Sequence, residues 1–599
     1  MCKIDYLGTG VCASGLERRY VSFYPEGRLD LYAALVEGRV PVTPAVLEIA
    51  DSCDECGICE MQCYFVTGLR PGSVLCRLKQ FVAEFRASGG AVQPNPEDEV
   101  LRELRAIVGE PWASNDPAIR LTYGQDPNPV PPKIPGYVVL PGSAEEVARL
   151  LSFLNGRGIP WAARGNGTNI LGFALSEGVV IDLNRMQEMV FNEANWSVRI
   201  GPGVSAFELQ RAAKERGFRV NVAEPAALVI SAIMCSGILS LFGTSYGSCA
   251  DSLIDAQFID PTGQPFSMNQ KQGPNLFAFD PRDQQSPGIC VGAEVKLHPV
   301  LEDEEGVLVP FTTFAEGIEF ARECARRRIG IAVGVLGLEY VASFMAPTQE
   351  LARDFKEILG KRLGMECLVL VLGDCFAIGS VRIMGYPLID QRLFRILNLG
   401  LANLGSAPWL DLLTEMQQEE PFAYLKAEGF TDLAETALGS SPKELSRSVE
   451  PDLQHRHEQL YGRPELTDLV WLNTFRITSS RIGREKHFSP VLLYLPLEPA
   501  LIGEFCADLQ RIGREAGIKN EIGFITPVDG GKRCILEFDY YADQCDTEEI
   551  TRLKRALQQA GALIEEYSER TGTLRWIRYL LYQGFCRQEN MLYGPVPKG

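Results

Sequence analysis

Arg164-Gly165-Asn166-Gly167-Thr168-Asn169 decides how this chain is read. An apolar run, Trp161-Ala162-Ala163, leads into it, and a buried-strand signal, Val179-Val180-Ile181-Asp182-Leu183, follows it. Glycines in such a loop let backbone N–H groups approach a pyrophosphate closely, because no Cβ stands between them. A Gly-rich loop alone is a weak signal, so its surroundings carry the weight. Upstream, Tyr137-Val138-Val139-Leu140 reads as a strand. Ser143-Ala144-Glu145-Glu146 is a capping box whose helix continues through Val147, Leu150, Leu151 and Leu154. Downstream, Ser197-Val198-Arg199-Ile200 alternates as a half-buried strand does, and Ala206 to Arg216 is a helix stopped by Gly217. Gln257-Phe258-Ile259 is a strand running into a turn at Asp260-Pro261-Thr262-Gly263. Strands and helices therefore alternate on both sides of the loop.

Further out stand Gly158-Ile159-Pro160, Gly201-Pro202-Gly203-Val204, Thr244-Ser245-Tyr246-Gly247, Asp251, Ser286-Pro287-Gly288-Ile289 and Glu294-Val295-Lys296-Leu297-His298-Pro299. In this order and spacing they resemble the FAD-binding domain of the vanillyl-alcohol oxidase / p-cresol methylhydroxylase (PCMH) superfamily. Lys486-His487-Phe488-Ser489-Pro490-Val491 resembles that superfamily's substrate-domain strand. Glu521 to Phe538 and Arg570-Thr571 are similar to its phenol-oxidising branch. The resemblance implies an α+β fold: a PCMH-type FAD-binding domain over 97–300, a sheet-based substrate (cap) domain over 301–510, and a C-terminal segment, 511–599, returning to the FAD domain. It implies FAD contacts from Arg164, Gly165, Asn166, Gly167, Thr168, Asn169, Cys235, Ser236, Gly237, Tyr246, Gly247, Asp251 and Ile289. Arg570 and His487 are the implied catalytic residues.

The departures from the family pattern are informative. Ser231-Ala232 replaces a Gly-Gly before the second phosphate-facing loop. The family's phenolate-binding tyrosines fall on Ile170 or Leu171 and on Glu569, while the neighbouring arginine is kept as Arg570, which favours an anionic or polar substrate. The histidines that carry covalent flavin would fall near Gly531-Lys532, so the flavin is expected to be dissociable. The whole chain has four histidines and no His-rich strand, which argues against a metal-dependent 2-hydroxy-acid dehydrogenase.

Residues 1–96 carry a second chemistry. Cys53-x2-Cys56-x2-Cys59-x3-Cys63 is the spacing of thiolates around a [4Fe–4S] cluster, with Gly57 where the loop turns tightly. Zinc is the chemical rival for four thiolates. In two-cluster ferredoxins the fourth cysteine of such a run serves the other cluster, and no second run exists here. The fourth ligand is therefore Cys63, Cys2, Cys12 or Cys76, or comes from a partner subunit. The text around Thr67-Gly68-Leu69-Arg70-Pro71-Gly72-Ser73 resembles the helical ferredoxin modules of respiratory and lactate- or glycolate-oxidising proteins. A small helical iron–sulfur domain is expected, followed by a linker at Gly89-Gly90 and Pro94-Asn95-Pro96 that keeps it separate.

Composition bounds the rest. The 599 residues suggest several domains, and 46% hydrophobic with 23% charged residues is ordinary globular usage. A formal charge of −19 speaks against nucleic-acid binding, which needs a basic face. The N-terminus lacks a secretory pattern, and 17 cysteines including a clustered run suit a reducing, cytoplasmic setting. Ala226 to Gly247 is uncharged, but Ser231, Ser236, Gly237, Ser240 and Gly243 break it up, so a buried segment is expected rather than a transmembrane one. Residues 411–465 read as a polar surface insertion.

The reading that follows is an FAD-dependent dehydrogenase. It would oxidise a small aromatic, phenolic or hydroxy-acid-like substrate and pass electrons singly through the cluster. The acceptor would be a redox protein or an iron–sulfur or quinone-linked complex, in a hetero- or homo-oligomer. The rival is a flavin/iron–sulfur electron-transfer subunit with no organic substrate of its own.

Overall fold

The computed structural model describes residues 2–67, 69–125, 132–168, 172, 174–222, 225–236, 240, 242–247, 249–269, 288–345, 349–390, 420–426, 486–543 and 545–571, without the side chains of 64–67, 234–236, 250, 344–345, 349–351 and 487–488.

The N-terminal unit is helical. Pro25–Val36 and Pro44–Asp51 start with proline in the first turn, where a missing N–H is no loss. Ile58–Thr67 carries Cys59 and Cys63, and Gly72–Ala87 closes the unit. Gly57, just before the cysteine helix, has φ +78°, the tight turn expected of it. The unit is not held apart on a linker. Leu31, Val46, Ile49 and Leu78 share one buried core with Tyr123, Val138, Leu140 and Val180 of the following domain. Buried Thr43 donates to Asp116 at 3.0 Å across the same boundary. Enough apolar surface remains on the helices of 1–96 that they dock on the next sheet.

That sheet has four strands in the order Ala113–Ser114, Tyr137–Val139, Val179–Asp182, Trp161–Arg164, the last three parallel. Parallel strands need a crossover, supplied by the helix Ala144–Arg157, whose cap is the expected one: Ser143 Oγ accepts from Glu146 N. Its Val147, Leu150, Leu151 and Leu154 are fully buried. A five-stranded antiparallel sheet follows, ordered Met189–Asn192, Ser197–Ile200, Ile289–Lys296, Leu253–Ile259, Pro265–Asn269. The uncharged stretch after Ala226 forms a short helix, Val229–Ser236, and a single turn, Gly243–Tyr246. Among the described residues no helix is long and apolar enough to cross a membrane.

The third sheet is antiparallel and seven-stranded: Ile389–Asp390, Glu305–Phe311, Cys367–Gly373, Ala332–Gly337, Lys519–Val528, Arg533–Ala542, His487–Pro496. The expected boundary at 510/511 falls inside the helix Pro499–Ala516, and two strands beyond it complete this sheet. Residues 519–542 thus supply two strands of the cap sheet. The physical reason is strand alternation: Ile525, Leu536 and Phe538 bury against the helices Phe314–Arg327, Pro499–Ala516 and Thr547–Thr571, while Phe524, Val528 and Ile535 face the opposite layer. That opposite layer includes Phe242 and Tyr246 of the FAD-binding half. The expected insertion at 411–465 lies outside the described residues apart from 420–426.

Candidate functional site

The Gly-rich loop leaves the strand Trp161–Arg164 at its C-terminal end. Its geometry is set from three directions. Asn166 Nδ2 donates to the Ala226 carbonyl at 2.8 Å, and Asn184 Nδ2 donates to the Gly165 carbonyl at 3.1 Å. A Cβ on Gly165 would stand 2.7 Å from Ser231 Oγ and 3.0 Å from Leu228 Cδ1. The first loop and the segment carrying the Ser231-Ala232 departure are therefore in contact. Gly167 has φ +69°, and a Cβ there would meet the Arg164 guanidinium.

The loop has charge to match an anion. Arg164, 6% exposed, lies over the Tyr123 ring at 4.9 Å. In the strand register it pairs with Asp182, which is fully buried and accepts from Tyr123 Oη at 2.9 Å and from Asn184 N at 3.0 Å. Lys3 Nζ sits 3.8 Å from Asp182, and burial lowers its pKa, with Asp182 pulling the other way and Arg164 adding to the lowering. Two cations thus flank one carboxylate beside the loop. Asn166 Oδ1 is buried with no hydrogen-bond partner, and a buried acceptor in that state calls for a donor from elsewhere. The residues fit an FAD pyrophosphate and its neighbouring hydroxyls.

The other sequence-derived flavin residues fall in several places. Thr168 is described as the loop's last residue, and Asn169 and Gly237 lie outside the described residues. Cys235 and Ser236 end the helix Val229–Ser236, their side chains not described. Ile289 opens a central strand with its side chain in the core among Val147, Leu150 and Ile259. Tyr246 stacks on His298 with ring centroids 3.6 Å apart and 8° between planes. Gly247, at φ +76°, faces the Asp251 carboxylate, which a Cβ would approach to 2.4 Å. Beneath Tyr246 and His298, Arg219 pairs with Glu304, the two side chains 1% and 5% exposed. Burial, then the charges of Arg219 and Lys296, push His298 down to about 4.

The two catalytic expectations fare differently. Arg570 forms a surface ion pair. It sits at the end of the helix Thr547–Thr571, donates to both Glu504 carboxylate oxygens at 3.2 and 3.0 Å, and is about half exposed. That helix covers the face of the seven-stranded sheet opposite Phe242 and Tyr246, so Arg570 is not brought to the junction. His487 begins the edge strand, in register with Ala542, and its side chain is not described.

The junction-side face of the cap holds what the sequence reading missed. Glu537, Asp539 and Tyr541 project at alternate positions of one strand, with exposures of 8%, 0% and 1%. Tyr541 Oη donates to Asp539 Oδ2 at 3.1 Å. Lys519 donates to Glu339 at 2.8 Å, and Lys356 bridges Glu339, at 2.9 Å, to Glu521. Burial works against Glu339, but the two lysines outweigh it and hold its carboxyl below the usual range. The sequence signal for them is period two, Glu-x-Asp-x-Tyr.

In the N-terminal unit, the stretch from Cys53 to Cys56 has no regular structure, so no helix must break for it to wrap a group. Burial, followed by the nearby Cys53, Cys12 and Cys56, pushes Cys59 up to about 11. Burial raises the Cys12 thiol, but hydrogen bonds from Ser14 and Arg28 outweigh that and leave it below the ordinary value. Among the described residues no group of three or more His, Cys, Asp or Glu is arranged to hold a metal ion as it stands.

Residues 135–269 match the family model described as an FAD binding domain (FAD_binding_4), so the class is that of chains built on an FAD-binding domain. Among curated proteins, the chain is 27% identical over 232 residues to an uncharacterised FAD-linked oxidoreductase of Mycobacterium tuberculosis, covering 36% of this chain and 49% of that one. It is 24% identical to a glycolate oxidase subunit of Bacillus subtilis (43% and 56%) and 27% identical to a D-lactate dehydrogenase of Archaeoglobus fulgidus (33% and 46%). The chain spans about half the length of these relatives. Among solved structures, p-cresol methylhydroxylase with substrate bound is similar at TM-score 0.58 and 14% identity, covering 81% of this chain and 91% of that one. A 4-ethylphenol oxidase from Gulosibacter chungangensis gives 0.56 and 15%, covering 82% and 91%. At such identities these two establish the fold.

Proposed function

We propose that this chain is an FAD-dependent dehydrogenase that oxidises a small organic substrate, aromatic, phenolic or hydroxy-acid-like. The electrons leave singly through a [4Fe–4S] cluster in the N-terminal unit to a protein acceptor. The observation that carries the flavin half is the loop Arg164–Thr168: a glycine cradle closed by Leu228 and Ser231, with Asn166 Oδ1 unsatisfied and two cations beside it. When bound, FAD supplies two-electron chemistry toward the substrate and one-electron chemistry toward the acceptor, and a cubane carries one electron at a time. The chain's own residues bind and orient. The loop N–H groups, Arg164 and Lys3 would hold the pyrophosphate, and Asn166 Oδ1 would accept from a hydroxyl.

The cap wall with Phe524, Glu537, Asp539 and Tyr541 lies on the sheet face that also receives Phe242 and Tyr246. In this reading it bounds the substrate, its acids and phenol orienting polar groups of a ring or hydroxy acid. The names of the relatives, which include glycolate, D-lactate and p-cresol, support this range of substrates. The cysteine run supports the cluster, and the shared core between the two units supports a short path from flavin to cluster. FAD is held non-covalently, since Gly531-Lys532 stands where the family's linking histidine would fall.

Anaerobic bleaching of the flavin by a panel of phenolic, benzylic and hydroxy-acid compounds tests the function. Bleaching by one class identifies the substrate. Bleaching by none, with reduction by a low-potential redox protein instead, would replace the dehydrogenase with an electron-transfer subunit. Acid precipitation should leave the flavin in the supernatant.

A further inference from the structure

One short turn of the FAD-binding half is held by both halves of the molecule. Gly243–Tyr246 is a single helical turn, which is not stable by itself, so other segments must fix it. At its ends the clamp is the buried Asn221. Ser240 Oγ donates to Asn221 Oδ1 at 2.6 Å, and Asn221 Nδ2 donates to the Gly247 carbonyl at 3.2 Å. Ser240 Oγ also accepts from Phe242 N at 3.1 Å. These bonds tie both ends of the turn to the FAD-binding half.

The middle of the turn reaches the cap. Thr244 Oγ1 donates to the Val333 carbonyl at 3.2 Å and accepts from Val333 N at 3.3 Å. Val333 is a fully buried residue of the cap strand Ala332–Gly337. Why its backbone bonds to a side chain follows from the sheet. Ala332–Gly337 pairs with Lys519–Val528 at Val335 with Ile525 and at Leu336 with Phe524. Carried two residues further, that register sets Val333 opposite Pro527, which has no N–H to give the Val333 carbonyl. Buried backbone groups need partners, and one hydroxyl serves both, donating to the carbonyl and accepting from the N–H. Thr244 thus takes the place of a strand partner, and a piece of the FAD-binding half completes the cap sheet.

We infer that Thr244 is a positioning residue for the flavin: through Val333 the cap sheet fixes the turn Gly243–Tyr246, which couples cap order to flavin binding. This rests on the flavin reading above, in which Tyr246 and Gly247 at the end of the turn meet the cofactor. The coupling is reciprocal: FAD that prefers the fixed turn also tightens the contact between Thr244 and Val333.

The test compares full-length wild-type, Thr244→Val and Thr244→Ser proteins. Valine keeps the branched shape and loses the hydroxyl, and serine keeps the hydroxyl. Apoprotein is titrated with FAD by fluorescence quenching, and visible circular dichroism of the flavin is recorded at saturation. Thr244→Val should bind FAD about 5- to 10-fold more weakly and alter the flavin bands, and Thr244→Ser should restore both. A Thr244→Val protein with a lower Tm but wild-type affinity and wild-type flavin bands overturns the proposal, because the contact then only stabilises the fold. If the wild-type chain takes up no FAD, the flavin reading itself fails and this inference falls with it, a distinguishable result. Should Thr244→Val not fold, hydrogen exchange in the wild-type protein decides. FAD should slow exchange over residues 330–337 more than in the helix Thr547–Thr571 on the far face of the cap. Equal slowing of both is global stabilisation and overturns the coupling.

Discussion

Lys3 Nζ lies 3.8 Å from Asp182 Oδ2, with the Asp182 side chain wholly buried and that of Lys3 13% exposed. The residue after Cys2 thus reaches the strand partner of Arg164, beside the Gly-rich loop. Tyr6 adds an edge-to-face contact with Phe207, ring centroids 5.1 Å apart. The first residues of the chain therefore bind the cysteine unit and the flavin loop into one body.

Lys3→Met should lower thermal stability. It removes one of the two cations beside Asp182 but leaves Arg164 and the donors from Tyr123 and Asn184, so the cost is about 1–3 kcal/mol. A drop of a few degrees in Tm by calorimetry is expected; an unchanged Tm would mean the pair contributes nothing.

Gly167→Ala should weaken FAD binding. A left-handed alanine costs about 1–2 kcal/mol, and Arg164 must shift as well, so flavin affinity should fall about 5- to 30-fold. Titrating apoprotein with FAD by fluorescence quenching measures it, with Gly156→Ala, whose Cβ meets nothing within 4 Å, as the control.

Stability should rise with pH through the range set by His298. Its pKa falls from 6.5 to about 4 on folding, so between those values the unfolded chain binds a proton that the native chain does not. The contribution is complete above 6.5 and is lost as pH falls toward 4. For a group that water partly reaches it amounts to about 1–2 kcal/mol. His298→Gln should flatten that part of the Tm-against-pH curve; an identical slope in the variant would assign the effect to other groups.

Arg219→Met should destabilise strongly, by about 3–5 kcal/mol, because Glu304 is left charged and buried. Pairing it with Glu304→Leu should recover a good part of the loss, which a double-mutant cycle by chemical denaturation reads directly. The single variant should also let the His298 pKa rise, visible by NMR, since one of the cations beside it is gone.

Arg570→Ala should leave both Tm and anaerobic flavin reduction unchanged, because an exposed pair with Glu504 is screened by water. A fall in the reduction rate would restore Arg570 to the substrate site.

Local chemistry was legible in the sequence. The capping box at Ser143, the buried strand at Val179 and the turn glycine Gly57 each depend on residues within a few positions of one another, and each stands where the spacing placed it. The Gly-rich loop was legible too, because a glycine turn after a strand is encoded by neighbours. What the sequence could not reveal depended on which distant segments meet. Which side of the cap sheet Arg570 reaches follows from how the twenty-five-residue helix carrying it packs. Lys3 and Arg28 carried no pattern, since a single cation acquires meaning only from the buried carboxylate or thiol it meets. Glu537, Asp539 and Tyr541 became a polar wall through strand pairing, which sends alternate side chains to one face. Neighbouring residues fix backbone geometry and ligand spacing; burial and charge pairing are properties of the packed chain.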